Sequence, residues 1–408
     1  MLTVTAIGAG APLARAQAPP QAPPAANAPD PSSSLDVGDL WRLIRHKPAP
    51  PPDAADDRKG GRAFVPTISS KPSTGLTLGI GMSLSHFLGP PETTHISSML
   101  GSFSFSVKDQ ASLTARFDAF TAQNQTHLEG DNRLQWTSQD TYGLGTSSPS
   151  DAAIGARFTH VRIYETALFK VHNKIAAGGG IHFASHTSIR PVDPDSAWDD
   201  APPNVYAREH GFDLESQTSA GVSAGAEWST RDNPINASRG WLASASYRAF
   251  FNGLFGGDST WQELVVDVRH FVPIRNDTRR TLAFWLYSDS VVNGVAPYFD
   301  LPAIGADKYG RTGRGYAEGR FRGEQMMYGE VEYRQTLRRD NLLGLVAFAN
   351  TSTFSNKASG EGLFDAFAPA AGAGLRVLFS KRSRTNLCVD FAVGRHSHGL
   401  YLALQEAF

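Results

Sequence analysis

Leu76-Thr77-Leu78-Gly79-Ile80-Gly81-Met82-Ser83-Leu84-Ser85 alternates an apolar residue with a small or polar one at every step. Successive side chains of a β-strand point to opposite faces, so this run builds a strand with one apolar and one polar face. The pattern continues in Phe103, Phe105 and Val107 against Ser102, Ser104 and Ser106. After a tight turn it resumes in Leu113, Ala115, Phe117 and Ala119 against Ser112, Thr114, Arg116 and Asp118. Further on, Leu264, Val266 and Val268 face away from Glu263, Asp267 and Arg269, and Leu387, Val389, Phe391 and Val393 face away from Asn386, Cys388 and Asp390. Neighbouring strands therefore share an apolar face and a polar face.

The connections alternate in length. Short polar turns fall near Lys108-Asp109, Ser138 to Asp140, His172-Asn173, Ile274 to Asp277, Arg338 to Asn341 and Lys381 to Arg384; longer segments run from Arg190 to His210, Asn293 to Glu324 and Ser355 to Leu363. Short turns on one side and long loops on the other are how bacterial outer-membrane barrels distinguish periplasm from outside. With Thr141 to Ser147 counted as a short fifth strand, residues 75–408 are expected to form an all-β, transmembrane antiparallel barrel of about 16 strands. An even count places both ends of the barrel in the periplasm.

Composition agrees once the two faces are separated. The 408 residues carry 38 Lys plus Arg against 39 Asp plus Glu and are 41% hydrophobic, with a mean hydropathy of -0.28. Near-neutral charge removes the electrostatic case for nucleic acid, and no stretch is apolar enough for a spanning helix. A barrel passes both filters, because its lipid-facing and lumen-facing residues average to a soluble value. The one cysteine, Cys388, cannot form an internal disulfide and does not identify the compartment.

Residues 1–18, with the apolar run Val4 to Ala11 and the small-residue pattern Ala14-Arg15-Ala16-Gln17-Ala18, read as a secretory signal peptide. Residues 19–74 read as a disordered, Pro/Ala-rich periplasmic tail, with a short amphipathic helix at 36–47. Its apolar positions 37, 40, 41 and 44 share one face, Asp36 can cap it, and Arg45, His46 and Lys47 suit the negative end of its dipole. So short a helix needs a surface to hold it, and the periplasmic mouth of the barrel is the expected one.

A soluble sandwich or propeller is the rival architecture, and the C-terminus argues against it. Leu400, Leu402, Leu404 and Phe408 form an apolar parity ending on an aromatic, the form of the terminal strand that the barrel insertion machinery reads. Glu406 falls on the same parity and is expected at the periplasmic rim.

Two motifs narrow the barrel further. Thr230-Arg231-Asp232-Asn233-Pro234 followed by Arg239-Gly240-Trp241 is a tight turn opening a strand, and Gly313-Arg314-Gly315-Tyr316 lies in the longest late loop. The first resembles the Thr-Arg-Asp-Asn-Pro…Arg-Gly turn of the BamA/TamA-like outer-membrane assembly barrels, of the bacterial surface antigen type. The second resembles the Arg-Gly-aromatic signature those barrels carry on a loop folded back into the lumen. The resemblance covers 75–408 and implies that Arg314 pairs with carboxylates on the inner wall. Glu332 matches the first partner, Glu330 shares its face, and Asn350 stands where an aspartate is common. Residues 19–74 hold no room for a POTRA module, so the sequence resembles a barrel-only member. The partners implied are outer-membrane lipid and lipopolysaccharide, unfolded outer-membrane protein clients and the insertion machinery; the location implied is the bacterial outer membrane.

Signals for enzyme chemistry are weak. Gly221-Val222-Ser223-Ala224-Gly225 fits a nucleophile-elbow pattern but lies inside an alternating strand, where no strand-turn-helix can form. His396-Ser397-His398 and the acidic residues Asp193, Asp195, Asp199 and Asp200 read as solvated loop residues. No catalytic residue, metal ligand or cofactor is assigned. The remaining classes are an assembly or translocation barrel, a passive or gated channel, and an outer-membrane hydrolase. The position of the 293–324 loop discriminates between the first two: inside the lumen with Arg314 near Glu330 or Glu332, or outside an open pore.

Overall fold

The computed structural model describes residues 34–46, 61–71, 75–151 and 153–408. Among them are two α-helices, α1 (Val37–Ile44) and α2 (Pro202–His210). The strands are β1 (Gly61–Lys71), β2 (Gly75–His86), β3 (Ser97–Ser106), β4 (Ala111–Phe120), β5 (Thr126–Thr141), β6 (Ile154–His172), β7 (Ile175–Pro191) and β8 (Ser216–Ser229). They continue as β9 (Gly240–Phe250), β10 (Trp261–Ile274), β11 (Asp277–Gly294), β12 (Gln325–Thr336), β13 (Leu343–Phe354), β14 (Ala368–Ser380), β15 (Thr385–Gly394) and β16 (Ser397–Leu404). Each strand pairs antiparallel with its chain neighbour in one 16-stranded sheet. The sheet curls into a nearly closed barrel, with no ladder joining β1 to β16 among the described residues. No described helix is long and apolar enough to cross a membrane.

Parity sorts the residues as the sequence pattern requires. Leu78 pairs with Phe105 and Ile80 with Phe103, which also pairs with Leu113. All five side chains are exposed on the outer surface, where lipid replaces water. Ser83 and Ser85 turn inward and are buried. The large buried apolar side chains line the lumen rather than a gap between sheets: Phe271, Trp285, Ile304, Tyr316, Phe321 and Tyr328 form one cluster, and Phe250, Trp261, Tyr298, Phe299 and Leu301 another. Each such side chain contributes roughly 1.5–3 kcal/mol, so these two parts of the lumen are packed like a core.

Three expectations change. The barrel begins at Gly61, not Gly75, because β1 lies within the segment read as a disordered tail and pairs residue for residue with β2. Thr141 to Ser147 is not a strand: β5 ends at Thr141, and the chain turns away through Gly143 and Gly145, both at positive φ (90° and 89°). These two changes offset, which leaves the total at 16. They also move the Lys108-Asp109 turn to the end of the barrel that carries the long 295–324 connection, and put Ser138 to Asp140 inside β5.

The third change concerns the chain end. β16 stops at Leu404, where Gln405 adopts φ 72°. That left-handed residue reverses the parity of the last three positions. Leu400 and Leu402 face outward, while Glu406 and Phe408 are buried in the lumen. Phe408 stacks on Trp285 at 5.1 Å, and its backbone oxygen accepts from Arg334 Nη2 at 2.8 Å. Glu406, expected at the rim, accepts from Arg376 Nε at 2.7 Å instead.

α1 has its cap as the sequence indicates, with Asp36 and Asp39 forming a reciprocal capping box. It sits at the periplasmic end. Leu35 N donates to Asp340 O (2.9 Å) and Asn341 Nδ2 to Ser34 Oγ (2.9 Å) in the β12–β13 turn; Lys381 Nζ donates to Asp39 Oδ2 (2.8 Å) from the β14–β15 turn. Gly61, at the start of β1, approaches the same β14–β15 turn: a Cβ there would lie 3.3 Å from Ser380 Oγ and 3.9 Å from Ser383 Oγ. The expected signal peptide, 1–18, lies outside the described residues.

Candidate functional site in the lumen

Residues 295–324 connect β11 to β12 and fold back into the barrel. Among the contacts that hold them, one group centres on Arg314 and another on Lys308.

The first group centres on Arg314. Glu330 and Glu332, two positions apart on β12, face inward together because strand side chains repeat every second residue. Arg314 Nη2 donates to Glu330 and to Glu332 Oε2 (2.5 Å), and Nη1 donates to Asp390 Oδ2 on β15 (2.7 Å). The guanidinium also lies 3.5 Å from the centre of the Phe348 ring. Arg314 and its three carboxylates are all at most 3% exposed. Three bound anions around one cation would repel one another, and two further arginines offset that repulsion: Arg334 Nε bonds Glu332 (2.6 Å), while Arg376 bonds Asp390 and a fourth carboxylate, Glu406. Arginine suits this place because its planar fork serves several carboxylates and keeps its charge when buried.

The neighbours of Arg314 are cut to fit. Gly315 has φ 114°, and a Cβ there would lie 2.7 Å from Ala370 Cβ. Tyr316 lies over Gly394, where a Cβ would be 2.5 Å from the ring. Its hydroxyl donates to Pro369 O (2.7 Å) and accepts from Arg395 N (3.0 Å). Asn350 donates to the backbone oxygen of Arg314 (3.0 Å), not to its guanidinium. Asp390 takes the carboxylate role on a strand that sequence reasoning did not connect to the loop. Its only sequence trace was a carboxylate on the polar parity of β15.

The second group lies across the lumen and was absent from the sequence reading. Lys308 Nζ donates to Asp118 Oδ1 on β4 (3.0 Å) and Phe117 O (2.9 Å), and the Tyr309 hydroxyl also bonds Asp118. Arg133 Nη2 on β5 donates to Asp307 O (3.0 Å). Asp307 in turn accepts from Thr312 N (2.8 Å) and Thr312 Oγ1 (2.7 Å), rounding off the tip of the loop.

The Asp232 turn lies at the periplasmic end between β8 and β9. Asp232 accepts from Ser238 N (2.8 Å), Ser238 Oγ (2.7 Å) and Arg239 N (3.2 Å), and from Arg384 Nη1 (2.9 Å) of the β14–β15 turn. Asn233 accepts from Ile235 N and Asn236 N, both at 2.8 Å, and Pro234 fixes the reversal. Gly240 has φ 100°, and a Cβ would strike Thr230 O at 2.2 Å, so only glycine opens β9 here. The Gly221 to Gly225 pattern lies within β8, with no elbow.

On the periplasmic rim, Asp39 has its pKa shifted. Partial burial pushes it upward, but the Lys381 hydrogen bond, the Asp36 N–H and the charges of Lys381 and Arg42 outweigh burial, so the carboxyl titrates below its usual range.

A nearly closed antiparallel barrel with an apolar outer surface, and a loop bound inside by buried ion pairs, defines an integral outer-membrane β-barrel. Residues 74–393 match the Omp85 superfamily domain, and the chain belongs to that superfamily. Among solved structures it is similar to BamA from Haemophilus ducreyi lacking POTRA domains 1–3 (TM-score 0.53, 14% identity, 85% of this chain and 69% of that one). It is also similar to CdiB from Acinetobacter baumannii (0.54, 12%, 85% and 59%) and CdiB from Escherichia coli (0.52, 10%, 88% and 63%). At these identities the likeness is one of fold, and the chain spans about six-tenths of either CdiB. No curated protein sequence matches the chain.

Proposed function

We propose that this barrel inserts or translocates polypeptide at the outer membrane, with the 295–324 loop as a lumen plug and the β1–β16 seam as the place where the wall can part. The observation that carries the reading is the loop's seat inside the barrel with Arg314 against Glu330 and Glu332. A lumen occupied by the loop supports this reading over a passive diffusion pore. A β1 edge with no ladder partner among the described residues offers backbone donors and acceptors to an incoming strand, and exposed Leu400 and Leu402 on β16 give the facing edge an apolar, lipid-contacting side. Unfolded outer-membrane proteins are the partners this chemistry fits, with outer-membrane lipid around the wall. The test is a disulfide engineered across β1 and β16 in a Cys388→Ser background, introduced into the source bacterium. Oxidised cells should show depleted outer-membrane proteins by quantitative proteomics, restored on reduction; an unchanged profile in both the locked strain and a deletion strain overturns the reading.

A further inference from the structure

The cavity beside the second loop anchorage, about 230 Å³, is lined by donors that neither the Arg314 network nor the turn motif uses. His127 Nε2 on β5 lies 3.2 Å from Asp118 Oδ1 and 3.5 Å from Glu129 Oε1. One donor atom from each residue lies within 4.8 Å of the others. His127 is 5% exposed, and its imidazole is held in place by Phe120 stacked on it at 4.2 Å. Its other nitrogen, Nδ1, is buried without a hydrogen-bond partner and lies 3.6 Å from Glu227 Oε2 on β8.

One imidazole nitrogen and two carboxylate oxygens, with open positions toward a cavity, match the donor set of borderline divalent ions such as zinc. A metal-bound histidine ordinarily directs its second nitrogen to a carboxylate, which fixes ring and tautomer; Glu227 stands where that partner belongs. The three carboxylates Asp118, Glu129 and Glu227 face His127, Lys308 and Arg231 in this cavity. The Lys308 ammonium already occupies a cation position 3.0 Å from Asp118 Oδ1. We propose that Asp118, His127 and Glu129 form a zinc-class divalent cation site on the periplasmic half of the lumen wall, with Glu227 orienting His127 and Lys308 as a built-in competitor for Asp118. A metal ion at Asp118 displaces Lys308 and so frees one anchorage of the loop. The site does not depend on the assembly reading.

The experiment is a titration of the purified full chain in detergent with Co²⁺, followed by visible absorption, and displacement by Zn²⁺ followed by calorimetry. One ion per chain is expected. His127→Gln and Glu227→Gln should each weaken binding by about tenfold or more, and Lys308→Met should tighten it several-fold, a gain that a misfolded variant cannot produce. No binding, or binding that His127→Gln leaves unchanged, overturns the site; an affinity unaltered by Lys308→Met overturns the competition.

Discussion

Arg314 and Lys308 lie six residues apart on one loop, and both are cations paired with carboxylates on the barrel wall. Arg314 has a side chain 2% exposed, three carboxylates, an aromatic face and two supporting arginines. Lys308 has a side chain 24% exposed, one carboxylate and a cavity at its side. A charge pair stripped of water is costly to break by removing one partner, because the other stays buried and uncompensated; a solvated pair is cheap to exchange. Arg314 is therefore a fixed attachment of the loop and the Lys308 ammonium an exchangeable one, a difference that matching charges alone would hide.

Arg314→Ala should break this comparison at its strong end. It leaves Glu330, Glu332 and Asp390 facing one another, at a cost of about 3–5 kcal/mol, read as a lower denaturation midpoint of the purified barrel. A loss no larger than that of Lys308→Met would erase the distinction between the two. The exchange Arg314→Glu with Glu332→Arg should not restore stability, since Arg334 and Arg376 already flank position 332. Next, Gly394→Val should collide with the Tyr316 ring and cost about 1–3 kcal/mol; the same assay with unchanged stability would mean that Tyr316 is not seated there. Lys308→Met should cost less than Arg314→Ala, because its pair keeps about a quarter of its surface open to the lumen, while increasing protease access to the 305–312 tip. The smallest effect belongs to α1. Asp39 titrates below its usual range in the folded state, so its contribution is full above the unfolded value near 4 and lost as pH falls through the lower folded value. Amide exchange at Leu35, corrected for intrinsic rate, should be flat from pH 7 to 5 and rise below about pH 4; an increase already at pH 6 would place the docking elsewhere.

The barrel was readable because alternation writes lumen and lipid face into every strand, and the Arg314 to Glu332 pairing because both lie in motifs. Other features escaped the reading for physical reasons. β1 comes after a Pro-rich stretch and contains Pro66, which argues against a strand except at an edge, where β1 in fact lies. The inward turn of Glu406 and Phe408 depends on one left-handed residue, Gln405, a conformation with no sequence signature at glutamine. Asp390, Asp118 and Lys308 are ordinary polar residues until the fold brings strands far apart in sequence around one loop.

Both ends of the segment before β1 meet the same place: α1 is tied to Lys381, and Gly61 rests beside Ser380 and Ser383. α1 and the first residue of the edge strand β1 therefore share one anchorage on the periplasmic rim, so a change in the β14–β15 turn would be felt at both.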